Sequence, residues 1–510
     1  MGAKTAHVAT FIMLGQLLST LFAGIAFIVI ARILGPGTYG IYTLAMAVSG
    51  FFGSVGDFGV GTAFNKFIAQ YKAKGNYAAI SRILADGFLT VIIVGALLAT
   101  ITFILSSYLA KVIMHNESYY YIIYAVSLIV FFSLIFTPAY YALVGFGKGA
   151  YVAVVMSMQT IVQATVGIAL AISGFGALAP IIGIISGFIT GIIIALYFIY
   201  ARLGVKPALP KIGRIRKLLN FSLPLALSNV LGAVVNNFSL MFLGAYVVAS
   251  IVGYIGIATR TVSLLGILTG SISLSILPMF SSTLTMRIRR HIGRLYNYSL
   301  YVAFLFIVPA ILFIVFLAKP FTVTVFSGTY ANAAIFVAII AFGNLIGLIG
   351  TYSSMLLASM NKVKKILEYS AIIVAVEFVL MPLFIIFFKG IGFVFLFYIL
   401  APIISTMLYI HAIYSQLKFG IAWKRIGLVV VAGILSSMLL LPLIFIFGKA
   451  YIPLLVAALI EQLLSYPAII SLVGATKKRD LINISEISKG IPVLGKIMVL
   501  MTRYSMLFAR

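Results

Sequence analysis

Fourteen runs of apolar residues, each about as long as the 20 needed to cross a hydrocarbon core of about 30 Å, decide what this sequence can fold into. Their cores lie at 8–31, 39–63, 83–108, 119–144, 151–173, 177–200, 218–243, 249–277, 297–317, 331–358, 367–388, 391–416, 427–447 and 451–473. Backbone amides in lipid have no water to bond, so a chain of such runs crosses as helices that satisfy their own N–H and C=O groups. An all-α polytopic membrane protein of 14 transmembrane helices is therefore expected. Composition agrees. The chain is 63% hydrophobic and 8% charged, whereas a soluble domain carries about 25% charged residues. Too few polar groups remain to cover a water-exposed surface, which excludes soluble enzymes and soluble nucleic-acid binders. The first run follows Met1–His7 with no small-residue cleavage site after it, so a retained first span is expected.

The net charge of +27, from 35 Lys and Arg against 8 acids, invites a polyanion reading until the charges are placed. Numbering the runs as spans 1 to 14 with the N-terminus inside, the outer segments hold five basic residues: Arg32, Lys111, Lys319, Lys389 and Lys449. Arg260 falls inside span 8. The other 29 lie in inner loops or the tail, densest at Arg202–Lys217, Arg287–Arg294 and beyond Lys477. This is the positive-inside bias, and it places both termini in the cytoplasm of a cell-membrane protein. The basic balance is a topology signal and a match to anionic inner-leaflet lipids. It requires no nucleic acid.

The inner loop RLGVKPALPKIGRIRK (Arg202–Lys217), with two prolines and six basic residues, divides the spans six and eight. The expected organisation is a six-helix lobe over 1–201, the basic linker 202–217, a second six-helix lobe over 218–418, helices 13–14 over 419–475, and an interfacial cytoplasmic tail over 476–510. An even number of spans per repeat makes the lobes parallel, related by a pseudo-twofold axis along the membrane normal. A shift of 213 residues places Gln16 on Asn229, Gly40 on Gly253, Ala45 on Ala258 and Gly53 on Gly266.

Catalytic patterns are missing. There is no phosphate-binding Gly-x-x-x-x-Gly-Lys-Ser/Thr loop, the four histidines are scattered, and Glu117 is the sole acid in an outer loop. With no cysteine, thiolate metal sites and disulfides are ruled out. No catalytic residue, metal site or cofactor is expected, and transport becomes the default for a many-span chain.

Ionisable groups inside spans are expensive and mark function by default. Arg260 lies about ten residues into span 8, roughly 15 Å deep at 1.5 Å per residue. Its permanent, planar charge suits an anionic group such as pyrophosphate; a structural arginine paired with a carboxylate or with carbonyls is the competing reading. Asp57, in Gly56-Asp-Phe-Gly59 of span 2, either carries a coupling ion, or forms an ion pair in an inner gate, or caps a Gly-broken helix. Glu377 in span 11 is the other coupling candidate, while Glu461 in span 14 holds the last two helices to the rest. Amides form a further set: Gln16 on span 1, Gln159 and Gln163 four apart on span 5, and Asn229 and Asn236 seven apart on span 7. Such faces either glue helices together or, with Arg260, line a hydrated cavity for sugar hydroxyls.

Two segments carry a resemblance. LGPGTYGIYTLAMAVSGFFGSVGDFGVGTAFNKFIAQYKAKGN (Leu34–Asn76) is similar to the span 2 signature of polysaccharide transporters. These are the Wzx-like, RfbX-type lipid-linked oligosaccharide flippases of the multidrug/oligosaccharidyl-lipid/polysaccharide superfamily. The run from Gly253 and Tyr254 through Ala258 and Arg260 to Pro278 resembles a second family motif. The resemblance implies two six-helix lobes around a cavity that opens alternately to each face. It implies a polyprenyl-pyrophosphate-linked glycan as substrate, coupling to H⁺ or Na⁺, and a monomer working with glycan-assembly enzymes. A lipid II-type flippase or drug exporter of the same superfamily, and a membrane glycosyltransferase or ligase, are the alternatives.

Overall fold

The computed structural model describes residues 2–211, 230, 232–264, 289–360, 362–476, 478, 480–482 and 494–508. Its residues fall into two units, Met1–Gly253 and Tyr254–Arg510. In the first, the chain runs through α1 (Gly2–Gly56), α2 (Val60–Ala73), α3 (Tyr77–Ile104), α4 (Ser106–Met114), α5 (Tyr120–Gly145), α6 (Gly149–Ile172) and α7 (Leu178–Tyr197), then α8 (Gly232–Gly244). Helix α9 (Ala249–Leu264) begins in the first unit and runs on into the second. There follow α10 (Arg289–Phe316), α11 (Ala318–Phe326), α12 (Ala333–Ser359), α13 (Val363–Phe395), α14 (Ala401–Leu417), α15 (Trp423–Met438), α16 (Leu440–Phe447), α17 (Tyr451–Leu472) and α18 (Leu494–Met506).

Among the described residues, ten helices are long and apolar enough to cross a membrane, and α8 and α9 are shorter apolar pieces. Two of the ten are too long for one crossing. The stretch Gly15–Gly56 has 42 residues and Lys364–Ser415 has 52, about 63 and 78 Å of straight helix at 1.5 Å per residue. Each is broken by one residue outside helical geometry. Gly35 (φ 70°, ψ 169°) turns α1 just before Pro36, which has no N–H to continue the ladder. Lys389 (φ 51°, ψ −132°) turns α13. The expected spans 1 and 2, and spans 11 and 12, are thus joined by tight bends within continuous helical stretches rather than by loops. Every one of the 14 expected runs overlaps a described helix.

The apolar outer faces belong to lipid. Phe445 is 86% exposed, Val379 76% and Phe387 73%; no water-facing surface carries such a series. The multi-pass membrane character follows from helix length and these faces together.

In the first unit, Phe64, Ile68, Ile80, Leu84, Leu143 and Phe146 form a core where α2, α3 and α5 meet. Lys72 Nζ donates to the Phe146 carbonyl at 2.5 Å, closing that end of the core. Asp86 of α3 accepts the backbone N–H of Lys211 at 2.7 Å and so fastens the linker to that helix. In the second unit, buried hydroxyls tie the helices. Tyr296 of α10 meets Ser353 of α12 at 2.6 Å, Tyr466 of α17 donates to the Leu305 carbonyl at 2.8 Å, and Ser436 of α15 meets Ser465 of α17 at 2.7 Å. The tail helix α18 docks on α17 through Ser505, whose hydroxyl donates to the Pro467 carbonyl at 2.8 Å and meets Ser471 at 2.6 Å.

Candidate functional site

Span 2 is broken where its only acid stands. Helix α1 ends at Gly56 and α2 begins after Gly59, which adopts φ 69° as its N-cap. Asp57 between them takes the Gly59 N–H on Oδ1 at 3.0 Å. This bond closes a two-residue turn in the break and ends on the N-cap residue itself; helix α2 has no side-chain cap. Asp57 also lines a cavity of about 340 Å³ in the first unit, with Ser49, Ser54, Ser133, Thr137 and Phe188. Three hydroxyls in this wall share a polarity. Ser54 donates to the Gly50 carbonyl at 2.6 Å, Ser133 to Val130 at 3.0 Å, and Thr137 to Ser133 at 3.1 Å. A hydroxyl whose proton is spent on its own helix offers only lone pairs elsewhere. The cavity thus combines one carboxylate with acceptor oxygens, a chemistry suited to a small cation.

Arg260 stands near the end of the described part of α9, in the second unit, with its side chain exposed. Its backbone carbonyl accepts the Ser263 hydroxyl at 2.7 Å. Among the described residues no carboxylate forms an ion pair with it. The paired structural arginine that competes with an anion-binding role thus has no partner among these residues. Glu377 is half-buried on α13. Glu461 on α17 has both carboxylate oxygens buried without a hydrogen-bond partner among the described residues, beside Gln462 in the same condition.

Of the amides, Gln16 on α1 and Asn236 on α8 are exposed. Gln159 and Gln163 come together: Gln159 Nε2 donates to Gln163 Oε1 at 2.9 Å, and Thr160 donates to Gln159 Oε1 at 3.1 Å. They lie against Gly187 of α7, where an added Cβ would come 2.9 Å from the Gln163 Cβ. Asn237 donates to the Ala233 carbonyl at 2.7 Å and rests its amide on Gly50, a residue of the cavity wall. Asn229 and Pro278 lie outside the described residues.

A further contact joins α1 to the start of α9. A Cβ on Gly40 would strike the Ala249 carbonyl, and a Cβ on Gly253 would strike the Pro36 carbonyl; each would also lie 3.1 Å from the other glycine's nitrogen. These are counterparts under the 213-residue shift: Pro36 with Ala249, and Gly40 with Gly253. The contact is isologous, each helix giving the other the same glycine and the same carbonyl. Sequence reading aligned Gly40 with Gly253 without seeing that they touch. It passed over Ser133 and Thr137 altogether, although their spacing of four puts them on one face of span 4.

A family model described as "Polysaccharide biosynthesis protein" matches residues 7–284, a stretch that contains Asp57, the glycine contact and Arg260. Among curated proteins none matches the sequence. The fold is similar to that of the lipid II flippase MurJ in an inward closed conformation, at 15% identity over 92% of this chain and 99% of that one, with a TM-score of 0.73. An inward-facing multidrug resistance MATE transporter of the MOP superfamily is similar at 14% identity, over 82% and 98% of the two chains, with a TM-score of 0.64. A MOP superfamily transporter from Pyrococcus furiosus Vc1, described as having a binding pocket of reverse polarity, covers 82% of this chain and 96% of its own at 14% identity and a TM-score of 0.52.

Proposed function

The chain belongs to the polysaccharide biosynthesis protein family, and from that premise we propose that it flips a lipid-pyrophosphate-linked oligosaccharide from the inner to the outer leaflet by alternating access. The observation that carries this reading is Arg260: a permanent cation, exposed on an apolar helix, with no carboxylate paired to it among the described residues. Such a group is expensive in a membrane unless it meets an anion there, and a guanidinium matches phosphate oxygens two at a time. The substrate class of the family supplies that anion as the pyrophosphate between lipid and glycan.

The amides of Gln16, Gln159, Gln163, Asn229 and Asn236 take the glycan. Each amide offers two donors and two lone pairs, so the bonded pair Gln159–Gln163 still has capacity for sugar hydroxyls. Asp57, with the acceptor oxygens of Ser54, Ser133 and Thr137, holds the coupling H⁺ or Na⁺, and Glu377 is the second coupling acid. The two halves expected from the sequence move as lobes, and both termini lie in the cytoplasm.

The test is reconstitution of the purified chain in liposomes that carry a lipid-pyrophosphate-linked oligosaccharide in the inner leaflet. Flipping exposes the glycan to an added glycosidase. The expected result is exposure that depends on the chain and on an H⁺ or Na⁺ gradient, and that is lost in Arg260→Gln. Flipping of lipid II alone, or export of a small cation with no glycan exposure, would replace this reading with one of its superfamily alternatives.

A further inference from the structure

A carboxyl group stands at the middle of the last long apolar helix. Glu461 is close to the centre of the 22 residues of Tyr451–Leu472, about 16 Å from either end at 1.5 Å per residue. Its neighbours Leu459, Ile460, Leu463 and Leu464 are exposed, as side chains facing lipid are. Gln462 beside it is 6% exposed, and Ser437 of α15 is fully buried. Among the described residues, both Glu461 carboxyl oxygens, both polar atoms of the Gln462 amide and the Ser437 hydroxyl lack a hydrogen-bond partner.

The register of α15 against α17 brings these groups to one layer. Ser436 meets Ser465 at 2.7 Å, and Leu440 packs in one cluster with Leu454 and Ala458. Advancing along α15 therefore means retreating along α17, and the two helices are antiparallel. Between the two contacts lie Ser437 on one helix and Glu461 and Gln462 on the other, in a slab about one helical turn thick. Helix α10 closes a third side. A Cβ on Gly433, one turn before Ser437, would strike Val308 and Leu312. Tyr466, one turn after Gln462, donates to the Leu305 carbonyl at 2.8 Å. That carbonyl is the one left open by Pro309, which has no N–H to offer it. The tyrosine thus finds its partner in the backbone of α10, whereas at the level of Gln462 that helix presents only Val308 and Leu312.

An ionised carboxylate in apolar surroundings is stable only when paired. The side chains around Glu461 carry no charge that could pair it: Ser436 and Ser437 on α15, Ser465 one turn along α17, and the two apolar residues of α10. Helix α16 has no titratable residue. Lys319 of α11 is exposed and lies beyond Leu317, which packs with Leu454 two turns away. Helix α18 docks at Pro467 and Ser471, past the layer, and its Arg503 is exposed.

We infer that this layer takes one monovalent cation onto Glu461, at a position separate from Asp57 and Glu377. Glu461 supplies the charge. The Gln462 carbonyl oxygen and the hydroxyls of Ser437 and Ser465 supply further oxygens of the kind a hard cation takes. The cation is sodium where these oxygens coordinate it, and a proton where Glu461 binds it and donates in turn to Ser437 or Gln462. Either one leaves the layer neutral and lets α17 stay packed on α10 and α15 in lipid. The inference does not rest on the flippase reading.

The experiment measures the Tm of the full-length chain in detergent micelles. The parent for this purpose carries Asp57→Asn and Glu377→Gln, so that neither proposed coupling acid answers for the bound cation. Sodium chloride replaces N-methylglucamine chloride at constant ionic strength and mildly alkaline pH. A second series without sodium steps the pH from mildly acidic to mildly alkaline. Because a ligand of the folded state stabilises it by mass action, the expected result is a saturable rise in Tm with sodium. The rise should be absent in Glu461→Gln, and its midpoint about tenfold weaker in Ser437→Ala, the worth of one polar contact to a charge. A Tm that ignores sodium but climbs with proton concentration in the parent, and not in Glu461→Gln, would keep the site and make its cation a proton. Equal responses of the parent and Glu461→Gln to both cations overturn the inference. If Glu461→Gln does not fold, Ser437→Ala carries the test, and a parental midpoint for whichever cation acts overturns the inference. Glycan exposure in the liposome assay is read on the chain with both coupling acids intact, so failure here leaves the flippase reading standing.

Discussion

At the residue scale the sharpest question is whether Asp57 is there for its charge or for its shape. Its Oδ1 accepts the Gly59 N–H across the break between α1 and α2, and asparagine can do the same. Asp57→Asn therefore keeps the turn and removes the charge, while Asp57→Ala removes both and costs about 1 kcal/mol of stability, the usual worth of one such hydrogen bond. We expect Asp57→Asn to reach the membrane with wild-type Tm and to lose gradient-driven flipping. Full flipping by the asparagine variant would reduce Asp57 to a turn residue. Arg260 calls for a complementary pair. Arg260→Lys keeps one positive charge but loses the planar fork, so it should retain partial glycan export, whereas Arg260→Gln should retain none at equal membrane abundance. Both residues were legible in the sequence because a charge inside an apolar run costs enough to need a reason. Ser133 and Thr137 were not. Hydroxyls are routine in membrane helices, where they bond back to their own turn, and only the fold reveals which of them share a wall with a carboxylate.

Elements were read well by length and poorly by connection. The hydrophobic runs marked the helices because crossing lipid demands about 20 apolar residues whatever the partner. The joins at Gly35 and Lys389 were missed as helix bends because a tight turn needs only one residue with positive φ. Gly35 signals that freedom, but a lysine does not. The isologous contact between α1 and α9 lay beyond the sequence for a similar reason. The alignment of Gly40 with Gly253 pairs sequence positions and is silent on touch, and only coordinates show each glycine against the other helix's carbonyl. In the proposed flipping cycle one end of the paired helices parts and closes again. Side chains at these two positions should prevent the closing. Gly40→Val and Gly253→Val are each expected to abolish glycan export and to lower stability by about 1–3 kcal/mol, as overpacking does. Gly37→Val is the control, since an added Cβ there meets nothing within 4 Å. Wild-type export by either contact variant would show that this end of the helices need not close.

For the whole molecule, the sequence speaks through the distribution of charge rather than its total. A net charge of +27 on an apolar chain is a stronger statement about orientation than about ligands, because Lys and Arg resist translocation while Asp and Glu contribute little. The same distribution sharpens what each unit does with its basic groups. Most are expected in inner loops, while Arg260 is exposed on α9. Orientation can be tested cleanly because the chain contains no cysteine, so any introduced thiol is the only one. Single cysteines at Lys74 and Lys362, on the expected inner side, and at Lys111 and Lys449, on the outer side, all replace exposed residues. A membrane-impermeant maleimide added to intact cells should label the 111 and 449 variants and spare 74 and 362 until the membrane is opened. The reverse pattern would invert every span and put Arg294 and Arg425 in the outer leaflet. A mixed pattern, with 74 protected but 362 labelled, would place an odd number of crossings between them. The expected run of spans over that interval would then be wrong by one, and the parallel relation of the two halves would fall with it.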